Sequence, residues 1–195
     1  TTTILFHLRE LKILESLIPE NIVVIGRTTL SRSTNNFIKS AKNLIVIDPR
    51  ISEIDSKREG NSLLPALPAE VKSSKTDVAI WEKASDIAAA EIATIKWSEQ
   101  LAIISICESL PDQSALFVGS SRPVRDVEAF CHPRSGIDVF ANRGLAGIDG
   151  NLSTIFGIAR EFQNTYAILG DLTFLHDISA LTNSASENIR IFVID

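Results

Sequence analysis

The sequence has only two cysteines, Cys107 and Cys131, and no Cys-x-x-Cys pair. That scarcity excludes a disulfide framework and a thiolate zinc site, and it fits a reducing cytoplasm. The histidines His7, His132 and His176 have no spacing that would build a metal site. No uninterrupted apolar run approaches the ~20 residues needed to cross a bilayer, and the longest helical candidate, Asp86 to Ile95, is interrupted by Glu91. No basic segment followed by an apolar core marks a signal peptide. The chain opens on Thr1-Thr2-Thr3 without Met, so processing or truncation of the natural start is expected. A basic excess is missing too. Thr1 to Trp97 carries 13 basic and 12 acidic residues, and Ser98 to Asp195 carries 6 and 12, for a net charge of -5. A nucleic-acid partner would want the opposite sign, clustered on a surface, so neither nucleic acid nor a membrane is an expected partner. There is no internal repeat or low-complexity segment, and Gly26 is followed by Arg27-Thr28-Thr29 rather than by a Gly-x-Gly-x-x-Gly fingerprint.

What is present is an ordinary globular composition, 45 % hydrophobic and 22 % charged over 195 residues, enough for one large domain or two small ones. Strand and helix signals alternate, with short β-branched runs ending in Gly, Asp or Ser, the pattern of parallel α/β layers. Asn21 to Ile25 and Asn43 to Ile47 are near-continuous apolar runs, as for strands covered on both faces, and Leu30 to Lys42 between them is helical in length. Pro49 to Ser74 reads as mostly irregular, with Leu63-Leu64 and Leu67 available to tuck against the body. Val78 to Ser109 is helical with a break around Lys96, where a domain boundary is placed. Beyond it, Ala115 to Val118, Ile137 to Phe140, Tyr166 to Leu169 and Ile189 to Ile194 read as strands. Pro123 to Phe130, Asn151 to Phe162 and Phe174 to Ser186 read as helices. Trp81 and Trp97 read as packing residues.

In open α/β sheets ligands bind beyond the carboxyl ends of the strands. Three strand ends carry chemistry. Gly119-Ser120-Ser121-Arg122-Pro123-Val124-Arg125 joins a turn residue to two hydroxyls before a helix, which suits phosphate oxygens, although a plain Ser N-cap is the alternative. Asn142-Arg143-Gly144-Leu145-Ala146-Gly147-Ile148-Asp149-Gly150 spaces three glycines for close approach or positive φ. Asp149 could cap the next helix, and Ile148 is either a core plug or a surface against which a ligand bends. Gly170-Asp171 sets a carboxylate where magnesium and a diphosphate could meet, with an Asp N-cap as the alternative.

Together, Gly119-Ser120-Ser121-x-x-x-Arg125, Asn142-Arg143-Gly144-x-x-Gly147-Ile148-Asp149-Gly150 and Gly170-Asp171-Leu172 resemble the 2-succinyl-5-enolpyruvyl-6-hydroxy-3-cyclohexene-1-carboxylate synthases, thiamine-diphosphate enzymes of menaquinone biosynthesis. The match extends from Leu101 to Asp195. It is looser from Thr1 to Trp81, where it rests on Ile25-Gly26-Arg27 and Leu30-Ser31-Arg32. The resemblance implies an α/β fold of two partial doubly wound parallel-sheet domains. Residues 1–96 would be the later part of a middle domain with its connecting helix, and 97–195 the first part of a diphosphate-binding domain.

The implied cofactors are thiamine diphosphate and Mg2+. Ser120, Ile148, Gly170, Leu172 and Thr173 would bind the cofactor, with Ile148 beneath the bent molecule and Asp171 as metal ligand. The implied substrates are 2-oxoglutarate, which is decarboxylated, and isochorismate, which receives the resulting four-carbon unit. Both are dicarboxylates, and arginine grips carboxylate in a bidentate way. Arg125 and Arg143, with Ser121 beside them, would bind substrate, and Arg32 is a further candidate; a surface ion pair with Glu128 is the alternative for Arg125.

The family's activating glutamate lies in a pyrimidine-binding domain without counterpart here, so no catalytic residue is assigned and the fragment is expected to be inactive alone. A second metal ligand, an asparagine, is expected at or just after Asp195. Uncovered sheet edges point to a homo-oligomer, a dimer or tetramer, in the cytoplasm. Another thiamine-diphosphate enzyme of the acetolactate synthase type and a non-catalytic Rossmann-like binding module are the competing readings. The first would leave Asn142-Arg143-Gly144 and Arg125 unexplained.

Overall fold

The computed structural model describes residues 17–26, 31–50, 62–70, 78–142, 147–182 and 187–195. By its internal contacts the chain divides into two units, Thr1–Ala93 and Thr94–Asp195.

In the first unit β1 (Asn21–Ile25), β2 (Asn43–Ile47) and β3 (Ser62–Leu64) form a parallel sheet in the order β1-β2-β3. Between β1 and β2 runs α1 (Arg32–Lys39), started by Ser31, whose hydroxyl accepts from Thr34 N at 3.4 Å. Gly26, at φ +76°, turns the chain out of β1 while its N–H donates to Ile47 O at 2.9 Å. Val24, Ile38, Leu44 and Val46 form the core beneath α1. A second cluster, Leu17 and Ala84, gathers Phe37 and Trp81 edge to face at 5.6 Å. Ala84 belongs to α2 (Ala79–Ile92), which buries Ala84, Ala88 and Ile92 along one stripe.

Two expectations need correcting in this unit. β2 is buried on both faces, but among the described strands β1 is at the edge, and Val23 and Ile25 are 51 % and 65 % exposed. The apolar run in β1 is therefore covered on one face only. Within Pro49 to Ser74, Ser62–Leu64 is a strand, made by pairing with Ile45–Ile47 rather than by any local pattern.

The second unit begins with α3 (Glu99–Ser109), whose N-cap Ser98 accepts from Leu101 N at 3.3 Å. There follow β4 (Ser114–Val118), α4 (Arg122–Phe130), β5 (Ile137–Phe140), α5 (Asn151–Ile158), β6 (Thr165–Gly170), α6 (Asp171–His176), a 3₁₀ helix (Ile178–Thr182) and β7 (Ile189–Ile194). All pairings are parallel and the order is β5-β4-β6-β7. Alternation along the strands divides the core in two. Leu116, Val118 and Ile168 pack with Ile103, Cys107, Val124 and Val127 of α3 and α4. Phe117, Ala167 and Leu169 pack with Leu152 and Ile155 of α5 and Ala180 of the 3₁₀ helix. Helices thus cover both faces, and the sheet is doubly wound.

The break expected near Lys96 lies between α2 and α3. Trp97, within that break, is 83 % exposed and not a packing residue. Of the helix expected over Phe174 to Ser186, residues 183–186 lie outside the described residues; the described part starts at Asp171, ends at His176 and gives way to the 3₁₀ turn. At the interruption the C-cap Asp177 turns its carboxylate to another helix.

Candidate functional site

The strand order places the site. From β4 the chain crosses by α4 to β5 on one side; from β5 it returns by α5, over the opposite face, to β6 on the other. Crossovers that part to left and right leave a crevice at the carboxyl ends of β4 and β6, the topological switch point where open α/β sheets bind ligands. Gly119-Ser120-Ser121 and Gly170-Asp171 flank that crevice. Since the four strands are parallel, the segment after β5 opens on the same rim.

Gly119 makes the crevice tight. Its N–H donates to Ile168 O at 2.8 Å, and a Cβ there would stand 3.1 Å from Leu169 Cδ2 and 3.2 Å from Ile168 O. A Cβ at this position would force Leu169 and the Ile168 carbonyl to give by a few tenths of an ångström. Ser120 Oγ is then buried with no hydrogen-bond partner. A hydroxyl withdrawn from water and left unpaired costs about 1–3 kcal/mol, so its presence beside a crevice calls for an acceptor supplied from outside. Ser121 sits at φ 75°, ψ -122°, costly for a non-glycine residue, and occupies the N-cap of α4 without a side-chain cap bond. Neither serine is the plain cap that the sequence allowed.

In α4, Arg122 is engaged: its Nε lies 2.7 Å from Glu99 Oε2 and 3.5 Å from Asp126 Oδ2. Asp126 is 7 % exposed, and burial raises its carboxyl above the usual 3.8, with Arg122 opposing. Arg125 is exposed and has no ion-pair partner among the described residues. Arg143 and Gly144 lie outside the described residues. Arg32 opens α1 in the first unit, and Gly26, Asp48 and Leu64 sit at the carboxyl ends of that unit's own strands.

The segment after β5 is held by its own polar network. Asn142 Nδ2 donates to Thr154 Oγ1 at 3.2 Å, and Thr154 Oγ1 donates to Gly150 O at 2.8 Å. Asn151, 1 % exposed, donates to Gly147 O and Asp149 O, each at 3.4 Å. Gly150 takes φ +67° to enter α5. Asp149 does not cap α5; it meets His176 Nδ1 at 2.8 Å. The cap comes from Asp177, whose Oδ2 accepts from Leu152 N at 2.8 Å and Ser153 N at 3.2 Å. Ile148 remains 38 % exposed, not a core plug.

After β6, Gly170 is the N-cap of α6 and Asp171 its first residue, so the carboxylate is half-exposed beside first-turn amides that no side chain caps. Leu172 is 67 % exposed and Thr173 5 %. Among the described residues no group of three or more His, Cys, Asp or Glu side chains could hold a metal ion. Asp171 alone suits magnesium only if phosphate oxygens and water complete an octahedral shell. An orphaned buried hydroxyl, uncapped amides and one carboxylate around a switch-point crevice fit a diphosphate with its divalent ion. By sequence His176, five residues after Asp171, reads as a solvated helix position rather than a neighbour of the cofactor loop, and Asp177, Asn151 and Thr154 are not singled out as supports. The one available signal was polar residues at the ends of helical stretches, indistinguishable from solvated positions.

No protein-family model matches the chain. It is similar to curated 2-succinyl-5-enolpyruvyl-6-hydroxy-3-cyclohexene-1-carboxylate synthases: 33 % identical over 202 residues to that of Thermobifida fusca, covering 91 % of this chain and 35 % of the relative. With the synthase of Synechococcus sp. it shares 32 % over 178 residues, 84 % and 30 % of the two lengths. With that of Corynebacterium diphtheriae it shares 30 % over 189 residues, 90 % and 36 %. The chain thus spans about a third of the length of the curated relatives it matches, and the resemblance expected from the three strand ends is shown. A crystal structure from Mycobacterium smegmatis, described as a thiamin diphosphate-dependent enzyme, aligns with TM-score 0.49 and 18 % identity, covering 89 % of this chain and 37 % of that one.

Proposed function

We propose that this chain is part of a thiamine-diphosphate-dependent transferase, the 2-succinyl-5-enolpyruvyl-6-hydroxy-3-cyclohexene-1-carboxylate synthase of menaquinone biosynthesis, and holds the cofactor's diphosphate. In this reading residues 1–96 are the later part of a middle domain and residues 97–195 the first part of the diphosphate-binding domain. The observation that carries it is Ser120: a buried hydroxyl without a partner, at the switch point, across the crevice from Asp171.

When bound, thiamine diphosphate supplies the electron sink for decarboxylating a 2-oxo acid. The protein's part is binding and orientation. Ser120 donates its O–H to a diphosphate oxygen, which removes the cost of the orphaned group. The first-turn amides of α6, at Leu172 and Thr173, and the backbone of Gly170 receive the diphosphate, while Asp171 ligates Mg2+. Ile148 offers an apolar shoulder to the cofactor's rings. Arg125 and Arg143, with Ser121, hold the carboxylates of 2-oxoglutarate and isochorismate, and Arg32 is a further contributor. Arg125 supports this role because it is exposed and has no ion-pair partner among the described residues, whereas the neighbouring Arg122 is tied to Glu99. No residue of this chain is proposed to activate the cofactor, and the chain alone is proposed not to turn over 2-oxoglutarate. Work in the cytoplasm as a homo-oligomer completes the reading.

Calorimetric titration tests it. Thiamine diphosphate with Mg2+ is expected to bind, NAD not to, and Ser120→Ala and Asp171→Ala each to weaken binding by about tenfold, about 1.4 kcal/mol. A response to NAD alone, or unchanged affinity in both variants, overturns the assignment.

A further inference from the structure

The end of α6 grips the start of α5 at two independent points. His176 Nδ1 lies 2.8 Å from Asp149 Oδ1. Asp177 Oδ2 accepts from Leu152 N at 2.8 Å and from Ser153 N at 3.2 Å. Gly150 at the N-cap has no side chain to give, so these amides depend on Asp177 for an acceptor. From within, Asn151 ties Gly147 O and Asp149 O to the same helix start. Ile148 is therefore fixed on both sides, while its own side chain stays 38 % exposed. The gripping residues stand at one end of a six-residue helix whose other end is Asp171. At ~1.5 Å per residue, the two ends are only about 9 Å apart.

We propose that His176 and Asp177 are positioning residues that lock the segment carrying Ile148 onto α6, so that Asp171 and Ile148 keep one spacing. Neither residue touches the ligand. They act through the loop, setting where an apolar shoulder stands relative to an anion held at Asp171. The identity of the ligand rests on the thiamine diphosphate reading above; the lock itself does not. An exposed side-chain contact such as that of His176 with Asp149 slows local opening by roughly 2- to 5-fold, and a helix cap by about 5-fold.

Two measurements test it. Amide hydrogen exchange over Gly147 to Ser153, without ligand, is expected to quicken roughly 2- to 5-fold in His176→Ala and in Asp149→Ala, and no further in the double variant. In Asp177→Ala it quickens by about 5-fold and returns to normal in Asp177→Asn, because the carboxamide oxygen accepts the same two N–H groups. Affinity is then compared for Mg2+ with inorganic diphosphate and Mg2+ with thiamine diphosphate. The lock predicts that His176→Ala and Asp177→Ala weaken thiamine diphosphate several-fold and leave inorganic diphosphate, which has no rings to set against Ile148, unchanged. Equal weakening of both ligands, or unchanged exchange in His176→Ala and Asp177→Ala, overturns it. If Asp177→Ala does not fold, His176→Ala against Asp149→Ala decides alone. Should neither ligand bind the wild-type chain, the thiamine reading fails while the exchange comparison still decides the lock.

Discussion

Adjacent serines take different roles after β4. Ser120 buries an unpaired hydroxyl, and Ser121 carries a positive φ that lets the chain turn into α4. Residue types alone put both serines at a strand end before a helix; only the family resemblance gives them separate roles, Ser120 towards cofactor and Ser121 towards substrate, since hydroxyl burial and backbone sign depend on packing around Gly119 that no local pattern shows. Asp126 shows the same limit. It reads as an ordinary helix carboxylate, yet burial against α3 raises its proton affinity. An acid whose native value is raised binds its proton more tightly folded than unfolded. Its contribution to stability is full below the ordinary value of 3.8 and declines as pH climbs through the raised native value. Asp126→Asn cannot ionise, so its stability relative to wild type should improve from about pH 3 to about pH 7 in urea melts. A difference that stays flat with pH would show that the carboxyl is not perturbed.

Elements with strong local signals were legible. β1 and β2 match their apolar runs end for end, and α2 and α3 lie on either side of the break expected around Lys96. Elements that depend on a distant partner were not. β3 exists by pairing with β2, and α6 stops where Asp177 leaves to cap α5. The end of α3 depends on a distant partner too. Arg134 donates to the carbonyls of Cys107 at 3.2 Å and Leu110 at 2.8 Å and to Asp112 Oδ1 at 2.7 Å, closing a helix that has no basic residue in its last turn. Arg134→Ala is expected to cost about 1–3 kcal/mol in chemical denaturation, since buried carbonyls lose their donor. A loss below about 0.5 kcal/mol would mean that water replaces the guanidinium without penalty.

At the scale of the molecule, two parallel sheets and the common rim of their carboxyl ends were legible, because alternating strand and helix signals leave few topologies once crossovers are right-handed. The strand order was not, and it is the order that brings the turns after β4 and β6 to either side of one crevice. Each unit has its own core. Residues 94–195 expressed alone should therefore unfold cooperatively, with a midpoint within a few degrees of one of two transitions in the full chain. A single transition in the full chain and none in the isolated piece would show that the cores are not independent.

The central position of β4 also governs how the second unit comes into being. All five of its residues are buried, yet none pairs with a hairpin neighbour, and Ala115 finds Thr165 only fifty positions later. On a ribosome the strand emerges sticky and unsatisfied, long before β6 exists to shield it. Its safety during synthesis thus rests on α3 and α4, the first apolar company to arrive, and a delay there would favour aggregation over folding.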